Sequence, residues 1–194
     1  MLSSIEIARG TQGALAFLRR DPGAPTYFDN SFAACLRSFR VMVLVAPLYG
    51  LYLLMHYARV EVAADELEIV AVEALHYVVD WLLFPVIFYE IARRRGWLER
   101  YPRYIGALNW IGLPVMLMLL VGETFAAVAP PLVAALVGYG LQALSFYWFL
   151  MATRLALGAS WLFSGLLLLV NWLPSLFLLL IVERFLGVTA IAAG

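Results

Sequence analysis

Lysine is absent from this chain, cysteine occurs once, histidine twice, and charged residues make up 13 % of its 194 positions. Each scarcity closes a class of function. Without lysine there is no Gly-x-x-x-x-Gly-Lys phosphate loop, and neither Gly-x-Ser-x-Gly nor His-Glu-x-x-His occurs. The lone Cys35 forms no internal disulfide, and no histidine lies near it in sequence to activate it as a nucleophile. One Glu-x-x-His unit, Glu73 to His76, is half of what a di-iron bundle requires; the other histidine, His56, follows Leu53 instead of a glutamate. No catalytic residues, no metal site and no cofactor are therefore expected, and the chain reads as a protein without enzymatic activity. Its formal net charge is zero, so no global field draws in nucleic acid. The first fifteen residues lack a basic cluster followed by a compact apolar core, so no cleaved leader is expected.

Apolar residues fill the space that charge leaves. They make up 64 % of the chain, with a mean hydropathy of +0.90, where a soluble domain is nearer half apolar. Water would meet apolar patches far larger than a soluble monomer tolerates, so lipid is the solvent that fits. Five apolar stretches are long enough to span a hydrocarbon core: 41–57, 69–91, 104–121, 132–153 and 161–182. The expected fold is all-α, a polytopic transmembrane bundle of about five helices in residues 31–186. A cytoplasmic or interfacial segment, 1–30, precedes it and a tail, 187–194, follows it.

Residues Ile5 to Arg20 mix Leu15, Phe17 and Leu18 with Arg9, Arg19 and Arg20, the pattern of an amphipathic interfacial helix. Gly10 and Gly13 weaken it as a helix, and Asp21-Pro22-Gly23-Ala24-Pro25 ends it. Asp29, Asn30 or Ser31 caps the next helix, which is expected to run unbroken from Phe32 to Tyr57.

Arginine sets the orientation. Eleven of the thirteen (Arg9, Arg19, Arg20, Arg37, Arg40, Arg93, Arg94, Arg95, Arg100, Arg103 and Arg154) share one side if the spans number five; only Arg59 and Arg184 fall on the other. Basic residues near span ends stay in the cytoplasm. The expected location is a bacterial inner membrane, with the N-terminus cytoplasmic and the C-terminus periplasmic. The acidic loop Glu61, Asp65, Glu66 and Glu68 then lies outside, as an ordinary solvated loop. Trp97, Tyr101 and Tyr104, and again Phe146, Tyr147, Trp148 and Phe149, cluster at the inner ends of their spans, as interfacial aromatic belts do.

Polar residues inside the spans are the candidates for function. Glu73, His76 and Asp80 stand three, four and seven residues apart, which puts all three on one helical face. Asp80 reaches mid-span, and ionisable groups at that depth face a bundle interior or water. Two readings follow: a proton or cation pathway entering from outside, or a buried polar network joining span two to Asn109, Gln142 or Asn171. Haem ligation by His56 and His76 is a third reading, against which their poorly matched depths count. Pro47, Pro85, Pro114 and Pro174 free the carbonyls of Val43, Trp81, Trp110 and Val170, which need partners from neighbouring helices or a polar cavity. Asn109-Trp110 before Pro114 and Asn171-Trp172 before Pro174 repeat one pattern on two parallel spans, as a duplicated helical hairpin would. The two asparagines read as glue between helices. Ala134 with Gly138, and Ser160 with Ser164, form small-x-x-x-small pairs whose default role is internal packing.

The segments Tyr27-Phe28-Asp29-Asn30-Ser31-Phe32, Arg37-Ser38-Phe39-Arg40 and Asp80-Trp81-Leu82-Leu83-Phe84-Pro85 resemble a family of small polytopic membrane proteins of alphaproteobacteria. Five spans with opposed termini are also similar, in topology alone, to the Yip1-type membrane domain. Neither resemblance implies an activity or carries over a site residue. The expected role is an accessory or scaffolding subunit of a membrane complex, or a membrane organiser. Its partners would be the lipid bilayer and a larger complex or further copies of itself. The alternative is a small proton- or cation-coupled transporter or channel using Glu73, His76 and Asp80.

Overall fold

Local capping fixes where this chain starts and stops each helix. A computed structural model describes residues 2–190; residues 191–194 of the expected tail lie outside them. Ser3 and Glu6 cap each other reciprocally, with Ser3 N–H donating to Glu6 Oε2 at 2.8 Å, and α1 (Ser4–Leu18) begins there. A short 3-10 turn, Ala24–Tyr27, follows. Ser31 is the residue that caps α2 (Phe32–Ser38), accepting the Ala34 amide at 3.2 Å. Asp29 instead closes a turn onto the Ser31 amide, and Asn30 ties the loop to the Glu99 carbonyl and the Arg103 amide.

Four long helices follow α3 (Val41–Tyr57): α4 (Glu66–Arg95), α5 (Tyr101–Ala126), α6 (Pro131–Leu157) and α7 (Trp161–Leu186). With α2–α3 taken together, all five are long and apolar enough to cross a membrane. The chain is therefore an all-helical, multi-pass membrane protein. At about 1.5 Å per residue α4 is about 45 Å long, well beyond the roughly 30 Å hydrocarbon core. Its overhanging ends are chemically matched to the helix dipole, with Asp65, Glu66 and Glu68 at the start and Arg93, Arg94 and Arg95 at the finish.

α5 is the most buried of the five and packs on α1, α2, α3 and α6. α6 packs on α7, and α7 on α4. The helices thus run α3, α5, α6, α7, α4 around an incomplete ring. The remaining side, between α3 and α4, is crossed by long side chains: the Tyr77 hydroxyl donates to the Met42 carbonyl at 2.6 Å, and Tyr49 and Tyr57 reach over to Glu73.

The two ends of the bundle differ. At one, Arg20 meets Tyr147, Arg100 donates to the Leu157 carbonyl, Arg95 lies over Phe163 and Arg154 over Trp161. At the other, β1 (Val60–Glu61) pairs antiparallel with β2 (Thr189–Ala190). There the Ala63 and Ala64 amides also donate to the Leu186 carbonyl, and Arg59 pairs with Glu123 at 2.9 Å. The N-terminal segment and the tail therefore sit at opposite ends, as an odd number of passes requires.

One sequence expectation is corrected. Span one is not one unbroken helix. The Ser38 hydroxyl takes the Cys35 carbonyl at 2.6 Å, and the Phe39 amide moves to the Leu36 carbonyl, so the ladder tightens to i→i+3 bonds across Phe39 and Arg40. α1 forms where the amphipathic helix is expected, and its apolar face packs on α5 and α6. Ala14 and Phe17 are fully buried, the Trp148 indole donates to the Ala14 carbonyl at 2.8 Å, and Gly10 and Gly13 let the backbone approach Trp110 and Phe28. Of the small-residue pairs, Ser164 is fully buried and bonds back to the Ser160 carbonyl, Ser160 caps α7, and Gly138 faces open space.

Candidate functional site

Tyrosines from α3 and the acidic face of α4 build the site together. Glu73 is 4 % exposed, although it carries a charged group in an apolar helix. Its two oxygens are shared out. The Tyr57 hydroxyl donates to Oε1 at 2.5 Å; the Tyr49 hydroxyl donates to Oε2 at 2.7 Å; His76 Nδ1 approaches Oε2 at 3.1 Å. A carboxylate oxygen only accepts, so the imidazole proton that fits this geometry is on Nδ1. One α4 turn further on, Asp80 is partly buried; its Oδ1 is shielded from solvent and has no hydrogen-bond partner among the described residues. Buried acceptors without partners are rare.

Two adjoining cavities explain why these groups lie where they do. The first, about 470 Å³, lies toward the β1–β2 end and is lined by Glu73, His76 and Asp80, with Glu183 from α7. The second, about 310 Å³, continues toward the arginine-rich end and is lined by Asp80, Asn109, Gln142 and Asn171. Asp80, Trp81, Gly112, Val115, Gln142 and Trp172 border both. Asn109 is 4 % exposed and donates to the Ser38 hydroxyl at 2.8 Å. Ser38 in turn borders a third cavity of about 280 Å³ at the arginine-rich end, beside Glu6, Arg9 and Arg37. The three spaces follow one another along the bundle, and the Asn109–Ser38 bond joins the wall of the second to that of the third.

All six polar residues singled out from sequence, Glu73, His76, Asp80, Asn109, Gln142 and Asn171, border these cavities. Only Glu73 and His76 bond one another directly; Asn109 takes Ser38 instead of Asp80. The repeated Asn-Trp pairs occupy unlike settings: Trp110 is 7 % exposed beneath α1, whereas Trp172 is 36 % exposed and meets Phe146 edge to face. His56 and His76 border the same cavity, but the His56 ring stacks on Tyr52 and His76 is held by Glu73. Sequence reading passed over Tyr49, Tyr57, Glu183 and Ser38. The tyrosines occur at positions 49, 52 and 57 of α3, and that cluster opposite an ionisable face was the available signal.

The hydrogen bonds to Glu73 are unequal in consequence. Oε2 has two partners and Oε1 has one. Tyr57→Phe is therefore expected to lower stability in detergent by about 1–2 kcal/mol, because it strands a buried carboxylate oxygen. Tyr49→Phe is expected to cost less, with His76 still in place. Thermal or denaturant unfolding of the two variants measures the order; an equal or reversed order would show that the network is looser than its geometry.

Compared with protein-family models, with curated proteins and with solved structures, the chain matches none.

Proposed function

We propose that this multi-pass membrane protein passes protons or other cations along the α4 face, as a small transporter or channel. One observation carries the reading: the ionisable groups of α4 and the span asparagines border successive cavities, with the shielded Oδ1 of Asp80 at their junction. A purely structural polar network has no need of such a chamber, because its groups can close on one another. Here Asp80 and Asn109 share the second cavity without bonding.

The arginine asymmetry supports a bacterial inner membrane with the N-terminus cytoplasmic. On that orientation the larger cavity, with Glu73, His76 and Glu183, lies on the periplasmic side, and the Asn109–Ser38 bond stands toward the cytoplasm. Paired polar groups at a narrow point can serve as a gate, since their bond must part for a solute or a water file to pass. The accessory role read from the sequence is the reading to which the chain returns if nothing passes.

Reconstitution tests this. Vesicles containing the full chain, loaded with a pH-sensitive dye and given an imposed proton or monovalent-cation gradient, are expected to dissipate it faster than protein-free vesicles. Rates equal to protein-free vesicles for every gradient would defeat the proposal.

A further inference from the structure

The larger cavity is a chamber rather than a water file. Its volume, about 470 Å³, falls within the range of pockets that hold drug-sized ligands. Two kinds of group dominate its walls. One is a run of aromatic rings: Tyr77 stacks on Tyr49 at 4.8 Å, Tyr49 on Tyr52 at 6.2 Å, and Trp81 meets Tyr77 edge to face at 6.1 Å. Trp172 faces the same space from α7. The other is carboxylate: Glu73, Asp80 and Glu183, with no arginine in the lining.

This pairing discriminates between ligand classes. Aromatic faces attract cations through the ring quadrupole, most strongly where water is excluded. A metal ion would need several oxygens or nitrogens converging within about 2–2.6 Å of one point. Glu73 and Asp80 are seven residues apart, about 10 Å along the helix, and both oxygens of Glu73 already accept tyrosine hydroxyls. Among the described residues no group of three or more His, Cys, Asp or Glu side chains is gathered closely enough to hold a metal. An anion would meet three carboxylates, and the basic side chains of the lining are engaged elsewhere: His76 is held by Glu73 and the His56 ring stacks on Tyr52. A neutral apolar molecule would suit the rings but leave the Asp80 oxygen unanswered.

On these grounds we infer that the chamber takes an organic cation with apolar substituents, of the quaternary ammonium or phosphonium class, held between the Trp81–Tyr77–Tyr49 rings and Trp172 with its charge toward Asp80. This deepens the cation-transport reading and rests on it for the direction of movement.

The test uses tetraphenylphosphonium on the purified full chain in detergent, with protein-free micelles subtracted and uncharged triphenylphosphine oxide as the comparison. Saturable binding of the cation is expected, with the neutral compound at least about tenfold weaker. Asp80→Asn and Trp172→Leu are each expected to weaken cation binding about tenfold, with melting checked to confirm the fold. If Trp172→Leu does not fold, Trp81→Leu replaces it. Equal binding of charged and neutral probes, no saturable binding, or full binding by the folded variants would overturn the inference. The vesicle assay separates the two ideas. Proton flux without phosphonium binding leaves the transport reading standing and removes this one. Phosphonium binding without flux of any ion supports the site and removes transport. Failure of both removes both.

Discussion

Vesicles carrying Asp80→Asn are expected to show no cation flux above protein-free vesicles, while the protein assembles and melts close to the parent. Asn keeps the size and position of the side chain and removes its capacity for charge. Asp80 borders both of the larger cavities, so a path through them passes it. Its Oδ1 has no hydrogen-bond partner among the described residues, so the substitution breaks no described bond and the stability change should stay below about 1 kcal/mol. That separation of effects distinguishes a functional carboxylate from a structural one, whose replacement would show in the melt and not in the flux. Glu68→Gln, exposed in the first turn of α4, serves as the control and should leave flux unchanged. Retained flux in a folded Asp80→Asn protein would mean that ions take another route.

Gly10→Val is expected to be the most destabilising single change at the arginine-rich end. A Cβ at Gly10 would overlap Cδ2, Cε2 and Cε3 of the Trp110 indole. Trp110 is 7 % exposed beneath α1 and has little room to yield. Overpacking of this kind costs about 1–3 kcal/mol, and here relief comes only if α1 lifts from α5. Lifting would also loosen the Trp148 indole bond to the Ala14 carbonyl. The expected signature is a lower melting temperature together with a red-shifted tryptophan emission. Gly50→Ala makes the matching control: its Cβ meets nothing within 4 Å, and the helix should be unharmed or slightly firmer. An unshifted melt and emission for Gly10→Val would show that α1 is not seated against Trp110.

The membrane character was legible because it is written in long runs: hydropathy alone marks all five helices, and Gly96, Gly158 and Gly187 end three of them in the left-handed conformation expected of a helix stop. The α4 face was legible because charge in an apolar run is conspicuous and its spacing is helical. What answers that face was not. A tyrosine looks apolar in a hydropathy profile, and nothing local tells that Tyr49 and Tyr57 converge on Glu73 from a separate helix. Ser38 was hidden for a related reason. Its effect on span one depends on a bond to Cys35 three residues back and on Asn109 seventy-one residues ahead. Gly10 and Gly13 were read as weaknesses of α1, which is correct for an isolated helix. Packed against an indole and a phenyl ring, they are the places where the chain can come close enough.

The strand pair at the far end has a mechanical consequence. The linker leaving α3 and the segment leaving α7 are laced by β1–β2 and by two amides on the Leu186 carbonyl. Gly187, at φ 67° and with Ala63 Cβ 2.7 Å from where its own would stand, has no spare room in that knot. The rim of the bundle is therefore drawn together like the neck of a pouch. Widening it demands either that the knot slip or that both tethered rods tilt as a unit, pivoting near the opposite rim.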